Sequence, residues 1–219
     1  MELQGKKIAF LGDSITEGCG VENLVNRYDN RLKEMCGLAA VYNYGIGGTR
    51  IACNTHASEK PRYDLYFSAR AYDMEKDVDL VVVFGGTNDY GHGDAPFGTS
   101  EDVTPDTYLG GVRFLMKLLR EIYQNTPIVF LTPARRNGDE AIYFRQTTNP
   151  HARSLIHYVD GIQLIAKDFE IPVLDLYHEL GIDPNLAEHR EKYAPDGLHF
   201  NDAGHAKLAA VLRDFLLAL

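Results

Sequence analysis

The stretch IAFLGDSITEG, from Ile8 to Gly18, joins a short apolar run to a polar turn. Its apolar residues follow one another without alternation, which is typical of a strand covered on both faces of a sheet. Gly12, Asp13 and Ser14 then interrupt the run, and such residues are common in turns or as caps of a following helix. Taken alone, the stretch predicts a buried strand that ends in a tight turn.

Further apolar runs recur along the chain at wide spacing. With residues 7–12 they predict five strands, the others lying at 39–45, 78–86, 127–133 and 171–177. Apolar stripes with spacings of three and four residues lie between the runs and predict helices. Because strands and helices alternate, the sequence predicts an α/β fold with a parallel sheet covered on both faces.

Start signals mark two of the predicted helices. Thr104 and Pro105 predict the start of the helix whose stripe covers 108–123, because Thr is a good N-cap and Pro is favoured at the first helical position. Asn201 and Asp202 are the predicted entry to the last helix. The other stripes cover 24–35, 155–169 and 208–219.

Composition restricts the classes of protein to which the chain can belong. Its 219 residues contain no repeat, low-complexity tract or linker, so we expect a single domain over 1–219. A formal net charge of −9 disfavours nucleic acid and anionic membrane surfaces as partners. No apolar signal core precedes the first strand, so a cytoplasmic location is expected unless a leader was removed. The sequence leaves the oligomeric state open.

Neither a disulfide framework nor a metal site is predicted. Cys19, Cys36 and Cys53 cannot all pair within one chain and form no CxxC motif, so we expect free thiols. A metalloenzyme could use His92 and Asp94, but no H-E-x-x-H motif or clear third ligand accompanies them. We therefore expect no metal.

Polar, glycine-rich sequence follows the predicted strands. Ligands of doubly wound sheets bind beyond the carboxyl ends of the strands. The segments 50–76, 90–103 and 134–150 are long irregular loops of the kind that carry function. The polar segments are GDS at 12–14, NYGIGGTR at 43–50, GGTNDYGHGD at 85–94, TPARRNGD at 132–139 and DGLHFNDAGH at 196–205. We expect the functional site at this edge of the sheet.

Serine chemistry explains why these residue types occur together. Ser14 is a poor nucleophile unless a base accepts its proton, and His199 can do so if an acid such as Asp196 orients its ring. Backbone N–H groups in a glycine turn at Gly48 and the side-chain amide of Asn88 can stabilise an oxyanion. Each feature alone also fits an ordinary turn, but their occurrence together at one sheet edge favours catalysis.

These motifs resemble those of the SGNH hydrolase superfamily, often called GDSL esterases and lipases. The blocks GDSIT, NYGIGG, GGTND and DGLH occur in the family's order and span nearly the whole chain, with Ile-Thr where the family name has Leu. The resemblance implies a flavodoxin-like three-layer α/β/α sandwich with five parallel strands. It also implies a serine esterase that forms an acyl-enzyme and needs no metal or organic cofactor.

The resemblance implies a role for each matching residue. Ser14 would be the nucleophile, His199 the base and then the acid, and Asp196 the residue that orients the imidazole. The oxyanion hole would consist of the backbone N–H groups of Ser14 and Gly48 and the side-chain amide of Asn88. The glycine that precedes Gly48 is the competing candidate for the second donor.

The residues expected around the pocket are polar and aromatic, with no apolar trough for a long acyl chain. We therefore expect a short acyl group, such as acetyl, on a polar alcohol such as a sugar. The arginines at 135 and 136 could contact the substrate, or they could instead be exposed to solvent or paired in a salt bridge. Candidate substrate contacts are Asp13, which also braces the nucleophile turn, Arg50, Tyr90, His92, Phe97 and Arg135.

The sequence also bears on functions other than that of an esterase. A lysophospholipase, a thioesterase or an acyltransferase of the same fold stays open. A nucleotide or flavin module is disfavoured because G-x-x-x-x-G-K-[ST] and G-x-G-x-x-G are absent, and an α/β-hydrolase because G-x-S-x-G is absent. The 31 acidic residues leave room for a glycosidase pair, which does not explain the Ser, Gly, Asn and His set.

Overall fold

The computed structural model describes residues 1–141 and 153–219, so part of the predicted loop 134–150 lies outside the described residues. The strands are β1 (Lys7–Gly12), β2 (Ala40–Gly45), β3 (Leu80–Phe84), β4 (Ile128–Leu131) and β5 (Val173–Leu174). They form one parallel sheet in the order β2-β1-β3-β4-β5. Each strand lies within a predicted apolar run, so the predicted five-stranded parallel sheet is confirmed.

Helices cover both faces of this sheet. They are α1 (Ser14–Glu17), α2 (Tyr28–Cys36), α3 (Phe67–Ala71), α4 (Thr87–His92), α5 (Tyr108–Ile122), α6 (Leu155–Asp168), α7 (Leu176–Glu179), α8 (Ala187–Tyr193) and α9 (Asp202–Ala218). One face packs against α2 and α9, and the other against α3, α5 and α6, which is the expected three-layer sandwich. Within the described ranges, no helix is long and apolar enough to cross a bilayer.

Alternate residues of each central strand enter separate hydrophobic clusters on the two faces. Ile8 and Phe10 of β1 pack with α2 and α9, whereas Ala9 and Leu11 pack with α3 and α5. All four side chains are fully buried. Burial on both faces is the physical reason why the strand sequences are continuously apolar.

The structure corrects the predicted start of α5. The helix begins at Tyr108, not after Thr104, because Thr107 is its cap and accepts the N–H of Gly110 at 3.1 Å. The predicted cap of α9 is confirmed. The side-chain oxygen of Asn201 accepts the N–H groups of the second and third residues of that helix, both at 3.1 Å.

The stripe predicted over 24–35 divides into two elements. A 3₁₀ turn occupies Leu24–Asn26, and α2 begins afterwards at Tyr28. Tyr28 and Leu32 are fully buried, but Leu24 and Met35 are exposed. The predicted apolar face is therefore shorter than its sequence pattern. A second 3₁₀ turn occupies Pro61–Asp64.

The strand order reverses direction at β1. The chain leaves β1 to form β2 on one side and returns to form β3 on the other. Gly12 is in register with both Gly45 and Phe84, so the three strands end at the same level. The polar segments that follow them therefore start from one edge of the sheet, where doubly wound folds bind ligands.

Gly45 allows close contact between the end of β2 and α1. A Cβ here would lie 2.1 Å from the backbone nitrogen of Glu17. We expect Gly45→Ala to lower Tm by several degrees, since overpacking costs about 1–3 kcal/mol. Thermal unfolding followed by circular dichroism measures this, with Gly138→Ala as control, because a Cβ there meets no atom of the described residues within 4 Å and its only cost is the positive φ. Equal Tm values for Gly45→Ala and wild type would contradict the contact.

Candidate active site

The turn after β1 presents Ser14 as the first residue of α1. Asp13 is the N-cap, and its Oδ1 accepts the N–H of Ile15 at 3.0 Å. Gly12 has no room for a side chain, because a Cβ there would lie 2.1 Å from the hydroxyl oxygen of Thr16. The small and acidic residues of the opening motif thus form a tight turn that holds Ser14 in place.

Ser14, His199 and Asp196 form a continuous chain of hydrogen bonds. His199 Nε2 lies 2.9 Å from Ser14 Oγ, and His199 Nδ1 lies 2.6 Å from Asp196 Oδ2. Because an ionised carboxylate only accepts hydrogen bonds, Nδ1 is the donor to Asp196. The lone pair of Nε2 then faces the hydroxyl of Ser14 and can accept its proton.

Asp196 is held ionised by its surroundings. Partial burial raises the pKa of its carboxyl, but hydrogen bonds from the His199 ring and from the N–H groups of Leu198 and His199 outweigh burial, so the pKa lies below its ordinary value. Gly197 adopts φ +83°, which permits the turn that brings the two side chains together. Asp196 can therefore keep the imidazole in one tautomer.

The glycine turn after β2 offers two candidate N–H donors, and their partners distinguish them. The N–H of Gly47 donates to Glu17 Oε2 at 2.6 Å. For the N–H of Gly48, the described part of the chain provides no acceptor. Gly48 adopts φ +80° and lines the same cavity as Ser14. The geometry therefore favours Gly48 as the oxyanion donor.

Asn88, the second residue of α4, adds a side-chain donor. Its Nδ2 donates to the carbonyl of Thr49 at 2.9 Å, which fixes the orientation of the amide. A primary amide has two hydrogens, so the second stays available to a ligand. Asn88 lines the same cavity as Ser14 and Gly48 and is itself almost completely buried.

A cavity of about 590 Å³ joins these groups, and we call it the catalytic cavity. Glu17 is in its wall, and Glu17 Oε1 accepts from Arg62 Nη2 at 2.6 Å. This ion pair balances the carboxylate close to where an oxyanion would form. The catalytic cavity contains Ser14, Glu17, Gly48, Asn88 and His199, with Lys60, Arg62, Tyr63, His92 and Arg136.

A second cavity of about 510 Å³ adjoins the first, and we call it the adjoining cavity. The two cavities share Lys60, Tyr63 and His92. The rest of the adjoining wall is mostly polar and consists of Arg50, Asn54, His56, Ala57, Ser58, Glu59 and Asp94.

Two of the predicted substrate contacts, Arg50 and His92, lie in cavity walls. Arg50 is buried, and its guanidinium donates to His92 Nδ1 at 3.0 Å and to the carbonyl of Tyr63 at 2.8 Å. Because a guanidinium only donates, His92 Nδ1 is the acceptor, and the proton of a neutral ring lies on Nε2. Asp13, a third candidate, is buried as the cap of α1 and lines neither cavity.

Tyr90 was expected at the pocket, and the structure corrects this. The side chain is fully buried, and its hydroxyl lies 2.8 and 2.7 Å from the carbonyls of Gly138 and Ala141. Asn88 and His92 are four residues apart on α4 and share one face, whereas Tyr90 lies between them and faces the core. The prediction is wrong because this segment forms a helix, whereas the sequence predicts an irregular loop over residues 90–103.

Phe97 and Arg135 also line neither cavity, so these two predictions are corrected as well. The Phe97 ring packs edge to face on Tyr158, with ring centroids 5.2 Å apart. Arg135 pairs with Asp139 and Asp183, both at 3.0 Å. The salt-bridge alternative for Arg135 is therefore the one that the structure contains.

Several cavity residues were missed by sequence reasoning. Glu17 had a usable signal, because it follows Ser14 by three residues and such residues share a helix face. Lys60, Arg62 and Tyr63 belong to the irregular segment 50–76, where no pattern distinguished them. Only the folded chain brings this segment over the nucleophile.

Two buried carboxyls support the loops of the site. Burial raises the pKa of both Asp13 and Asp89 to about 6. Asp89 accepts the N–H groups of Ile51 and Ala52 at 3.0 and 2.9 Å, which ties the segment after the glycine turn to α4. Asp13 Oδ2, in contrast, is buried and has no hydrogen-bond partner among the described residues.

The thiols and potential metal ligands form no further centre in the described ranges. Cys19, Cys36 and Cys53 are free, and burial raises the pKa of the Cys19 thiol in the cavity wall. Residues 1–141 and 153–219 contain no group of three His, Cys, Asp or Glu side chains arranged to hold a metal ion.

Sequence comparison identifies one family. The GDSL-like lipase/acylhydrolase family matches residues 10–207, which include every block of the motif from the nucleophile turn to the histidine. Among curated proteins, no relative matches this chain.

Solved structures share the fold over nearly the whole chain. A protein from Lactobacillus plantarum is 30% identical, with a TM-score of 0.84, covering 99% of this chain and 98% of that one. The M. smegmatis aryl esterase is 17% identical, with a TM-score of 0.72 and coverage of 98% and 99%. The acetyl xylan esterase AlAXEase is 23% identical, with a TM-score of 0.61 and coverage of 95% and 98%. At these identities the two esterases establish similarity of fold alone.

The buried Asp13 predicts a pH dependence of stability. Its pKa of about 6 in the folded state lies above the ordinary value of 3.8. The folded state therefore binds this proton more tightly, and the resulting stability is complete below about pH 4 and lost as the pH rises to about 6. Besides burial, the hydrogen bond from the N–H of Ile15 lowers this pKa, and electrostatic interactions with His199, Asp89 and Arg70 make smaller contributions.

We expect Asp13→Asn to remove this dependence. The free energy of unfolding of the variant minus that of wild type should increase as the pH rises from about 4 to 6.5, by about 1.4 kcal/mol per pKa unit, because only wild type loses the stability that this proton gives. Urea denaturation across this range measures the difference. Asp160→Asn, which changes an exposed acid, is the control. A difference that does not vary with pH would contradict the raised pKa.

Proposed function

The chain belongs to the GDSL-like lipase/acylhydrolase family, and from this premise we propose that it hydrolyses carboxylic esters through an acyl-enzyme on Ser14. The observation that carries the proposal is the hydrogen-bonded chain from Ser14 Oγ through His199 to Asp196, at 2.9 and 2.6 Å. Ser14 and His199 line a cavity whose wall also includes Gly48 and Asn88, the candidate N–H donors. A nucleophile, a base, an orienting acid and oxyanion donors are together what acyl transfer requires.

Acylation begins when Ser14 Oγ attacks the ester carbonyl. His199 Nε2 takes the hydroxyl proton, and the carbonyl oxygen becomes an oxyanion. The N–H groups of Ser14 and Gly48 and the amide of Asn88 stabilise this charge. When the tetrahedral intermediate collapses, the C–O bond to the alcohol breaks, and His199 gives its proton to the departing oxygen.

Deacylation repeats these steps with water. His199 removes a proton from the water as it attacks the acyl carbonyl, and the same donors stabilise the second oxyanion. Collapse breaks the bond to Ser14 Oγ, which regains its proton from His199. Asp196 keeps the imidazole in the required tautomer and stabilises its cationic form throughout.

For the substrate, we favour a short acyl group such as acetyl on a polar alcohol such as a sugar. The catalytic cavity and the adjoining cavity have walls rich in charged and hydrogen-bonding groups, including Arg50, Lys60 and His92. Such walls suit hydroxyl-rich groups better than a long alkyl chain. One relative in fold is named as an acetyl xylan esterase, and an acetyl group is the acyl part that we propose.

The first test is hydrolysis of p-nitrophenyl esters from acetyl to palmitoyl, with Ser14→Ala beside wild type. We expect activity on the acetyl and butyryl esters, and a loss in Ser14→Ala of more than about a thousandfold in kcat. Ser68→Ala is a matched control, because Ser68 is a buried serine outside both cavities. Turnover that Ser14→Ala leaves unchanged would exclude Ser14 as the nucleophile.

The same series separates the alternative functions. Activity that rises with acyl length would favour a lysophospholipase or thioesterase. Transfer of the acyl group to an added sugar, at the expense of hydrolysis, would favour an acyltransferase. Preference for the shortest esters, followed by deacetylation of acetylated oligosaccharides, would support the proposed substrate class.

Removal of the side-chain oxyanion donor tests the second element of the site. We expect Asn88→Ala to lower kcat about a hundredfold or more with little change in KM, because the donor acts on the charge that forms in the transition state. Asn30→Ala is the control, since the amide of Asn30 also donates to a backbone carbonyl, at 2.8 Å, but outside both cavities. A change confined to KM would make Asn88 a substrate ligand instead.

A further inference from the structure

Arg70, on α3, is a buried cation that the mechanism above does not use. Its Nε donates to the carbonyl of Leu65 at 2.8 Å, and its Nη1 donates to the carbonyl of Tyr44. Its Nη2 donates to the carbonyl of Gly12 at 3.1 Å and to Thr49 Oγ1 at 2.8 Å. These acceptors are all neutral, and they belong to four separate points of the chain.

The acceptors of Arg70 flank the turns that carry the oxyanion donors. Gly12 is the last residue of β1, two residues before the nucleophile, and its carbonyl also accepts the N–H of Ile46 at 3.1 Å. Tyr44 and Thr49 lie on either side of the glycine turn. One guanidinium therefore connects the nucleophile turn with both ends of the glycine turn.

Thr49 extends this connection to the third donor. While its hydroxyl oxygen accepts from Arg70, the hydroxyl donates to the carbonyl of Ile46 at 2.7 Å. The carbonyl of Thr49 accepts the side-chain amide of Asn88 at 2.9 Å. A displacement of Arg70 would therefore be passed on to all three oxyanion donors.

Burying the charge of Arg70 lowers the stability of the fold. In residues 1–141 and 153–219, no carboxylate accepts a hydrogen bond from this guanidinium. Burial lowers the pKa of Arg70 to about 10, which still leaves it charged at neutral pH. A buried charge without a paired carboxylate is expensive. A guanidinium nevertheless offers a planar set of donors that reaches several carbonyls at once, which neither Lys nor a neutral side chain can do.

We propose that Arg70 is a positioning residue that holds the oxyanion hole in its active geometry. It does not line the catalytic cavity, so it acts through the backbone of Gly12 and Tyr44 and through Thr49. Oxyanion donors are effective only when they are aligned before the charge forms. This inference rests on the proposed esterase function and adds to it the group that keeps the donors aligned.

Arg70→Lys tests the inference, because it keeps the charge and loses the planar set of donors. We expect kcat per active site to fall about 10- to 100-fold on p-nitrophenyl acetate, since small displacements in a catalytic site have this effect. KM should stay within about twofold of the wild-type value. A boronic acid that becomes anionic on Ser14 resembles the transition state, so its affinity should fall by the same factor as kcat/KM. Complete labelling with a fluorophosphonate counts the active sites.

Arg113→Lys is the matched control. Arg113 also donates to a backbone carbonyl, that of Ser100 at 2.9 Å, but it pairs with Asp168 at 2.6 Å and lies outside both cavities. Its replacement should change Tm at most and leave kcat per active site at the wild-type value. A purely structural role of Arg70 would give the same result as this control.

Thr49→Val and Thr49→Ser form a second test that stays decisive if Arg70→Lys does not fold. Thr49→Val keeps the shape and loses the hydroxyl that joins Arg70 to the glycine turn, so we expect a lower kcat per active site. Thr49→Ser keeps the hydroxyl and should restore most of the activity. In the Asn88→Ala background, Arg70→Lys or Thr49→Val should lower kcat by a smaller factor than in wild type. The reason is that both substitutions act partly through the position of Asn88, which is already removed.

Three results would overturn the inference while leaving the esterase intact. They are an unchanged kcat per active site in Arg70→Lys, a loss that appears only in KM, and equal activity of Thr49→Val and Thr49→Ser. Failure of the proposed function has a different signature. A wild-type protein that hydrolyses no ester and takes up no fluorophosphonate at Ser14 would overturn the esterase, and the inference about Arg70 with it.

Discussion

Parallel pairing of β1 with both β2 and β3 is the constraint on which the site depends. Gly12 lies in register with Gly45 and Phe84, so three backbone segments leave the sheet at one level. A slip of one residue would exchange the side chains of β1 between the two hydrophobic clusters. Packing on both faces therefore sets the register, and the register sets the distance between the turn after β1 and the segments that follow β2 and β3.

The site built on this edge concentrates features that cost stability. Asp13 and Asp89 are buried acids, and Arg70 is a buried cation whose acceptors are neutral. Each of these three groups makes hydrogen bonds to the backbone of a loop or turn that reaches the cavity. Such costly groups persist where the surroundings hold them in place, and here they fix the backbone around the candidate active site.

Sequence patterns succeeded where a local physical cause produced them. The continuously apolar runs predicted strands because both faces of the sheet are buried, and Asn201 predicted a cap because its side chain binds nearby N–H groups. They failed where residues outside the pattern, or the geometry of an unpredicted helix, decided the outcome. Thr107 caps α5 in place of Thr104, and its hydroxyl also donates to Asp102 at 2.7 Å. Tyr90 faces the core because its segment is a helix.

The sequence motifs therefore predicted which residue types form the candidate site and their order along the chain. A serine, a glycine turn and an amide each follow a recognisable strand, and an Asp–His pair precedes the last helix. Which of several similar groups can act in the site could be decided only from the folded chain. Glu17 accepts the N–H of Gly47 across 30 residues, which makes the N–H of Gly48 the candidate oxyanion donor. Arg70 reaches Gly12 across 58 residues. No local pattern encodes such contacts, because packing of the sheet and its helices decides which distant backbone groups meet.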